Sequence, residues 1–272
     1  MTLFPRILVA LAACFCASSF ALAEGPITMN WTVGGVERTA LVYPPSAKSE
    51  AAVPLIFSFH GHSGNAQASA NAMGLQSAWP QALVVYMQGL PTPSKLDPEG
   101  KQTGWQPQPG IIERPDYNMG DRDLKFFDAV LSKMRENYKV DNRRIYATGF
   151  SNGAMFTYLL WSTRGNTFAA IAACAGMATP ELKLGNPLPV LHIAGEKDTT
   201  IPLQLQEKTI ERIRKHNGCS NEGTPVGAHC ILYPASRGGA PVMTLIHSGG
   251  HTVPPGTGRL IARFFGDHPK AQ

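Results

Sequence analysis

Apolar residues recur along this chain in two alternating rhythms. Short continuous apolar runs mark strands covered on both faces: Val53-Pro54-Leu55-Ile56-Phe57-Ser58-Phe59, then Ala82-Leu83-Val84-Val85-Tyr86-Met87, then Arg144-Ile145-Tyr146-Ala147-Thr148. Later runs at residues 168–175, 189–194 and 242–246 have the same character. Between them lie stretches with apolar residues at helical spacing. The clearest is residues 123–138, where Leu124, Phe127, Val130, Leu131 and Met134 fall on one face with charges between. Further helices are predicted at residues 70–79, after Gly153, at 203–215 and at 256–265. Near the start, Ile27–Val33 and Val36–Tyr43 flank Gly34-Gly35, which reads as a β-hairpin. The alternation predicts an α/β fold: a mostly parallel sheet with an N-terminal antiparallel hairpin and helices on both faces. The rhythm fails from Gly89 to about Gly120, a proline-rich polar segment holding Trp105. A loop of that length implies function or partial disorder.

Residues 1–23 stand apart. Arg6 precedes an apolar run from Ile7 to Phe20, and Ala21-Leu22-Ala23 supplies small residues for cleavage, so a signal peptide ending before Glu24 is expected. A buried N-terminal helix is the plainer alternative. Leu11-Ala12-Ala13-Cys14 also resembles a bacterial lipobox, which would anchor the chain through Cys14, but ordinary cleavage fits the spacing better. Residues 24–272 then form a single domain, secreted or periplasmic, with no membrane-spanning segment after cleavage. Export changes the reading of the cysteines. Cys14 and Cys16 leave with the signal; Cys219 and Cys230 close a Gly/Asn/Pro-rich loop and are expected to form a disulfide, with Cys174 a buried free thiol.

Composition narrows the field. The chain has 272 residues, 43% hydrophobic and 16% charged, too apolar for disorder. Its formal charge of +5 is spread without a basic run or basic helix face, which argues against nucleic acid as a partner. A monomer is expected.

Chemistry concentrates at Gly149-Phe150-Ser151-Asn152-Gly153. A serine between two glycines, at a strand-to-helix corner, has the pattern of a nucleophile elbow; the glycines relieve crowding around a strained backbone. A Gly/Ser/Asn turn with no such role has the same five residues. In open α/β sheets, active groups gather at the carboxyl ends of strands. Asp198 follows one strand end, in Gly195-Glu196-Lys197-Asp198, and His251 follows another, in His247-Ser248-Gly249-Gly250-His251. The order Ser151, Asp198, His251 is that of the α/β-hydrolases. Ser151 is the expected nucleophile, His251 the base and then acid, and Asp198 the carboxylate that orients the imidazole. Glu196 and His247 are the rivals for the last two roles. The oxyanion donors are expected at Asn152 and, after the Val53–Phe59 strand, at His62 in His60-Gly61-His62. His60 and Trp105 are expected to contact substrate. A metal on His60 and His62 is the competing reading; without acidic neighbours it is weak, so neither metal nor cofactor is expected. His192 reads as a satisfied core histidine, and Trp31 and Trp79 as packing.

Together, Phe59-His60-Gly61, Gly149-Phe150-Ser151-Asn152-Gly153-Ala154-Met155, Asp198-x-x-Ile201-Pro202 and Gly249-Gly250-His251-Thr252 resemble the secreted polyhydroxybutyrate depolymerase and feruloyl esterase group of carbohydrate esterase family one. The likeness runs from about Trp31 to Phe265. It implies an α/β-hydrolase, an exported serine esterase acting on feruloyl or acetyl esters of plant polysaccharide or on short polyester chains. Val253-Pro254 departs from the Trp-Pro often found there in the family, which removes an aromatic wall. The same serine chemistry would also serve a peptidase or another acyl hydrolase, and the fold alone a non-catalytic binding protein.

Overall fold

Strand pairing in this chain follows from which residues are apolar on both faces. The computed structural model describes residues 25–46, 50–110 and 120–271; the predicted signal segment and Cys14 lie outside them. The elements run β1 (Ile27–Val33), β2 (Val36–Tyr43), β3 (Val53–Phe59), α1 (Ala66–Met73), α2 (Leu75–Ala78), β4 (Leu83–Met87), β5 (Leu90–Pro91), β6 (Thr103–Gly104), α3 (Arg122–Asn137), β7 (Val140–Phe150), α4 (Asn152–Arg164), β8 (Ala170–Cys174), β9 (Val190–Gly195), α5 (Leu203–His216), β10 (Thr224–Gly227), β11 (Cys230–Tyr233), β12 (Val242–His247) and α6 (Thr257–Gly266).

Ten of these strands form one sheet in the order β1-β2-β4-β3-β7-β8-β9-β12-β11-β10. The six from β4 to β12 in that order are parallel to one another. Antiparallel hairpins close both edges: β1–β2 as predicted, and β10–β11, which was not. This is the α/β-hydrolase fold. The period-two alternation of strands sorts their side chains between two cores. Leu55, Phe57 and Phe59 face α3 and α4, whereas Ile56, Val84 and Tyr86 face α1, α2 and α6. The predicted helix over 70–79 is broken into α1 and α2 at Gly74, which adopts φ 57° and caps α1 through its N–H to the Ala70 carbonyl.

One expectation fails here. Cys219 and Cys230 are free thiols. Cys219 bridges to Ala235, whereas Cys230 opens β11, opposite Gly227 and Leu245. Five residues of extended chain separate those points, about 16 Å at 3.3 Å per residue, far beyond the reach of a disulfide. The Cys219 thiol instead donates to the Ala240 carbonyl at 3.3 Å. The loop thought to need a covalent closure is stitched by an edge hairpin. Cys174 is a free, fully buried thiol, as expected.

Within the irregular segment the described residues include one short strand pair. β5 and β6 pair antiparallel, and Thr103 fastens them to the loop after β3: its carbonyl accepts from Ser63 N–H at 2.8 Å and its hydroxyl donates to the Gly64 carbonyl at 2.6 Å.

Candidate active site

Four loops meet along the carboxyl edge of the parallel strands. They follow β3, β7, β9 and β12, whose ends are level because the register pairs Phe59 with Gly149, Phe150 with Cys174 and His247 with Gly195.

Ser151 sits between β7 and α4 with φ 54° and ψ −119°, a region non-glycine residues rarely adopt. Its N–H donates to the Cys174 carbonyl at 2.8 Å, and its own carbonyl accepts from Ala154 and Met155 as α4 begins. The glycines are required by contact. A Cβ at Gly149 would overlap the Gly153 carbonyl, and one at Gly153 would overlap the carbonyls of Phe59 and His60. The elbow is thus pressed between its own helix and the end of β3.

His251 bridges the other two groups. Its Nε2 lies 2.8 Å from Ser151 Oγ and its Nδ1 lies 2.8 Å from Asp198 Oδ2. Its ring rests against Phe150, with centroids 4.9 Å apart. The Asp198 carboxylate is buried. Oδ1 accepts from the Thr200 and Ile201 N–H groups, each at 2.9 Å, and Oδ2 accepts from Gln206 Nε2 at 3.1 Å as well as from His251. A neutral imidazole that donates from Nδ1 to a carboxylate presents Nε2 as an acceptor, here to the serine hydroxyl. Such an arrangement can take the hydroxyl proton as Oγ attacks an acyl carbon.

The rivals are placed elsewhere. Glu196 is exposed to solvent. The His247 ring accepts from the Gly249 N–H at 3.1 Å and shapes the loop that carries His251. That loop is tied to the Asp198 loop rather than free: Glu196 and Lys197 donate to the carbonyls of His247 and Gly249 at 2.8 and 2.9 Å. Burial lowers the His247 pKa from its ordinary value. Burial also pushes the Cys174 thiol beside the elbow up to about 12, with the Asp198 charge adding to it.

Trp105 is buried away from the clefts at the site, whereas His60 borders one of them with a nearly buried ring. His60 is 2% exposed; its Nε2 accepts from Gly89 N–H at 2.9 Å and its Nδ1 donates to the Gly61 carbonyl at 2.7 Å. Burial lowers its pKa. Trp105 is fully buried, stacked on Phe156 and edge-on to Phe59, with its indole N–H on the His60 carbonyl at 2.9 Å. A polar, proline-rich neighbourhood suggested exposure, but the large apolar ring is pulled under the elbow, where it packs on two aromatics. Trp105 therefore supports the site from beneath, and His60 holds the edge of the cleft.

Asn152 explains how. Its side-chain Oδ1 accepts from Trp105 N–H at 2.7 Å and its Nδ2 donates to the Trp105 carbonyl at 3.0 Å. An amide side chain offers both an acceptor and a donor, so it satisfies one residue's backbone completely. The backbone N–H of Asn152 opens α4, where no carbonyl one turn earlier can receive it. His62 reaches the same cleft, with its ring Nε2 3.5 Å from Asp97 Oδ2 and 3.4 Å from Ser94 Oγ. His60 and His62 thus engage different partners. Among the described residues, no three His, Cys, Asp or Glu side chains cluster as metal ligands.

Sequence reasoning passed over Gln206 and the side-chain role of Asn152. Gln206 carried a signal: it lies on the apolar stripe of α5 with Thr209, Ile210 and Ile213, where a polar side chain needs a buried partner.

The open space at the site forms two adjoining clefts that share Gly61, His62, Phe150 and His251. One, about 600 Å3, contains Ser151 and is walled by Asp97, Gln102, Leu96 and Thr200. The other, about 390 Å3, runs over apolar Ala72, Met73 and Val253.

The sequence pattern of the phospholipase/carboxylesterase family matches residues 39–234, most of the chain. The chain belongs to that family. The matched range includes Ser151 and Asp198; His251 lies beyond it. Among individual relatives of this phospholipase/carboxylesterase family member, a protein named probable feruloyl esterase C from Aspergillus clavatus is 27% identical, with 96% of this chain and 90% of that protein aligned. Feruloyl esterase C from Emericella nidulans is 28% identical, with 76% of this chain and 74% of that protein aligned. Among solved structures, an acetyl xylan esterase from Aspergillus awamori superposes with TM-score 0.65 at 14% identity, covering 88% of this chain and 99% of that one. A Bacillus cereus carboxylesterase superposes with TM-score 0.59 at 15% identity, covering 85% and 94%. At those identities the structural likeness shows the fold.

Proposed function

We propose that this chain is a serine carboxylic ester hydrolase working through an acyl-enzyme intermediate, with Ser151 as nucleophile, His251 as base and acid, and Asp198 as the orienting carboxylate. The observation that carries the reading is the unbroken hydrogen-bonded path from Ser151 Oγ through His251 to Asp198, 2.8 Å at each step, on a serine held at φ 54°.

Ser151 Oγ adds to the ester carbonyl carbon while its proton passes to His251 Nε2. The carbonyl oxygen becomes an oxyanion, facing the backbone N–H of Asn152 and that of His62. His62 lies on the loop after β3 and lines the cleft that holds Ser151. Each such donor is worth about 3 kcal/mol in the transition state. Collapse expels the alcohol, protonated by His251, and leaves the acyl group on Ser151. A water, deprotonated by His251, repeats the addition and releases the acid. No cofactor enters these steps, and all the groups sit on one chain.

The substrates proposed are feruloyl or acetyl esters of plant polysaccharide, or short hydroxyalkanoate esters of the polyhydroxybutyrate type. Relatives named as feruloyl esterases support the first. Export through the segment 1–23 places the enzyme with such substrates, and mass spectrometry of the exported chain should find Glu24 at its start. Purified protein should hydrolyse p-nitrophenyl acetate and be labelled at Ser151 by a fluorophosphonate. Ser151→Ala should lose about a millionfold in kcat; a variant that keeps its rate sinks the mechanism. Comparison of methyl ferulate, acetylated xylan and hydroxybutyrate oligomers then assigns the acyl group.

A further inference from the structure

Behind Asp198 the hydrogen-bonded path does not stop. Gln206, fully buried on α5, donates from Nε2 to Asp198 Oδ2 at 3.1 Å and to the Ile201 carbonyl at 2.7 Å. Its Oε1 lies 3.1 Å from Nε2 of His192, fully buried on β9. Nδ1 of His192 lies 2.6 Å from the hydroxyl of Tyr158, fully buried on α4, the helix that Ser151 begins.

The polarity of this path follows by elimination. A carboxylate and a peptide carbonyl only accept, so the end of Gln206 that faces both must be its NH2. Its Oε1 then faces His192, so His192 Nε2 carries the hydrogen. Nδ1 is left as an acceptor, and the Tyr158 hydroxyl donates to it. One arrangement satisfies every member, and it ends with a donor on Asp198. Reversing the Gln206 amide would set oxygen against oxygen at the carboxylate. Three apolar side chains could fill this volume without desolvating polar groups.

Accordingly, we propose that Tyr158, His192 and Gln206 are positioning residues that hold a donor on Asp198 and thereby fix the imidazole of His251 toward Ser151. This inference rests on the triad reading above. None of the three touches substrate; they act through the carboxylate. With the donor in place, Asp198 accepts four hydrogen bonds, two on each oxygen, and cannot rotate away from His251.

The test is a set of pH profiles of kcat and KM on p-nitrophenyl acetate, with circular dichroism of each variant. Gln206→Leu removes the donor on Asp198 Oδ2 outright. Losing one hydrogen bond to a charged group should lower kcat about ten- to a hundredfold, with KM within about twofold. The acidic limb of kcat/KM should also move to higher pH. With fewer positive dipoles around Asp198, the carboxylate holds the imidazolium proton more tightly. Cys174 and His247, the other titratable groups that feel Asp198, are unchanged by the substitution. His192→Phe leaves Gln206 Oε1 buried without its donor and should move both quantities in the same direction. His192→Gln can accept from Tyr158 and donate to Gln206, and should recover most of the rate and the native limb. If His192→Phe does not fold, Tyr158→Phe carries the test, because it removes one hydroxyl and leaves His192 Nδ1 without its donor; it should show a smaller loss of kcat with a shift in the same direction. Folded variants that keep the native kcat and limb while Ser151→Ala is inactive overturn the inference and leave the triad standing. A loss of rate without a limb shift, equal in His192→Phe and His192→Gln, makes the path merely structural and also overturns it. A fully active Ser151→Ala removes the triad reading and the inference together.

Discussion

At the scale of single residues, the site is governed by what cannot fit. Gly153 is close enough to the end of β3 that a methyl group would overlap two carbonyl oxygens. Overpacking of this kind costs about 1–3 kcal/mol. The larger effect should be on rate, because a shift of about 1 Å in a reacting group costs on the order of a hundredfold. Gly153→Ala should therefore retain its circular dichroism spectrum while losing kcat about a hundredfold on p-nitrophenyl acetate; native kcat would show that the elbow tolerates the methyl. Asp198 shows the complementary principle. Its carboxylate is buried with four donors, so its position is set before substrate arrives.

At the scale of elements, the fold places polar anchors where strand, loop and helix must keep register. Arg38 on β2 and Asp123 on α3 form a buried ion pair at 2.7 Å. Asp123 also accepts from Gln106 N–H at 2.9 Å, and the Arg38 guanidinium lies 4.2 Å over the Phe126 ring. Burial lowers the Arg38 pKa, opposed by the Asp123 charge. Gln106 adjoins Trp105, which Asn152 clamps, so the pair reaches the elbow through the β6 loop. Arg38→Met leaves a carboxylate buried without its cation, at a cost of about 3–5 kcal/mol. Urea unfolding should show that loss, and Arg38→Met/Asp123→Leu should recover much of it. If the single variant unfolds like the native protein, the anchor is not what holds this corner.

At the scale of the whole molecule, buried and half-buried imidazoles link stability to acid. Burial lowers the pKa of His60, His192 and His247, and for His192 brings it from 6.5 to about 4. An unfolded chain protonates these rings near pH 6.5, where the folded chain does not, so acid favours unfolding below that point. The His192 contribution is complete above pH 6.5, is lost as pH falls, and levels off below about 4, where the ring titrates in the folded chain too. Tm should fall steadily between those limits, and more shallowly for His192→Gln. A Tm that stays flat across that range, or an unchanged slope in the variant, would contradict it.

Local chemistry was legible in the order of residues along the chain. Continuous apolar runs named the parallel strands, because a strand covered on both faces has no polar positions to show. Gly149 to Gly153 showed the elbow, because only glycine clears that crowding, and Asp198 and His251 were readable because both follow strand ends. What the sequence could not contain is distance across the fold. Trp105, Asn152 and His60 meet because β6 folds under the elbow; Cys219 and Cys230 stay apart because β11 runs between them; Tyr158, His192 and Gln206 touch only where α4, β9 and α5 converge. Each depends on packing between segments far apart in the chain, and spacing along a sequence carries no record of that. The residue types at the site were set by the sequence itself; their partners were chosen by the tertiary structure.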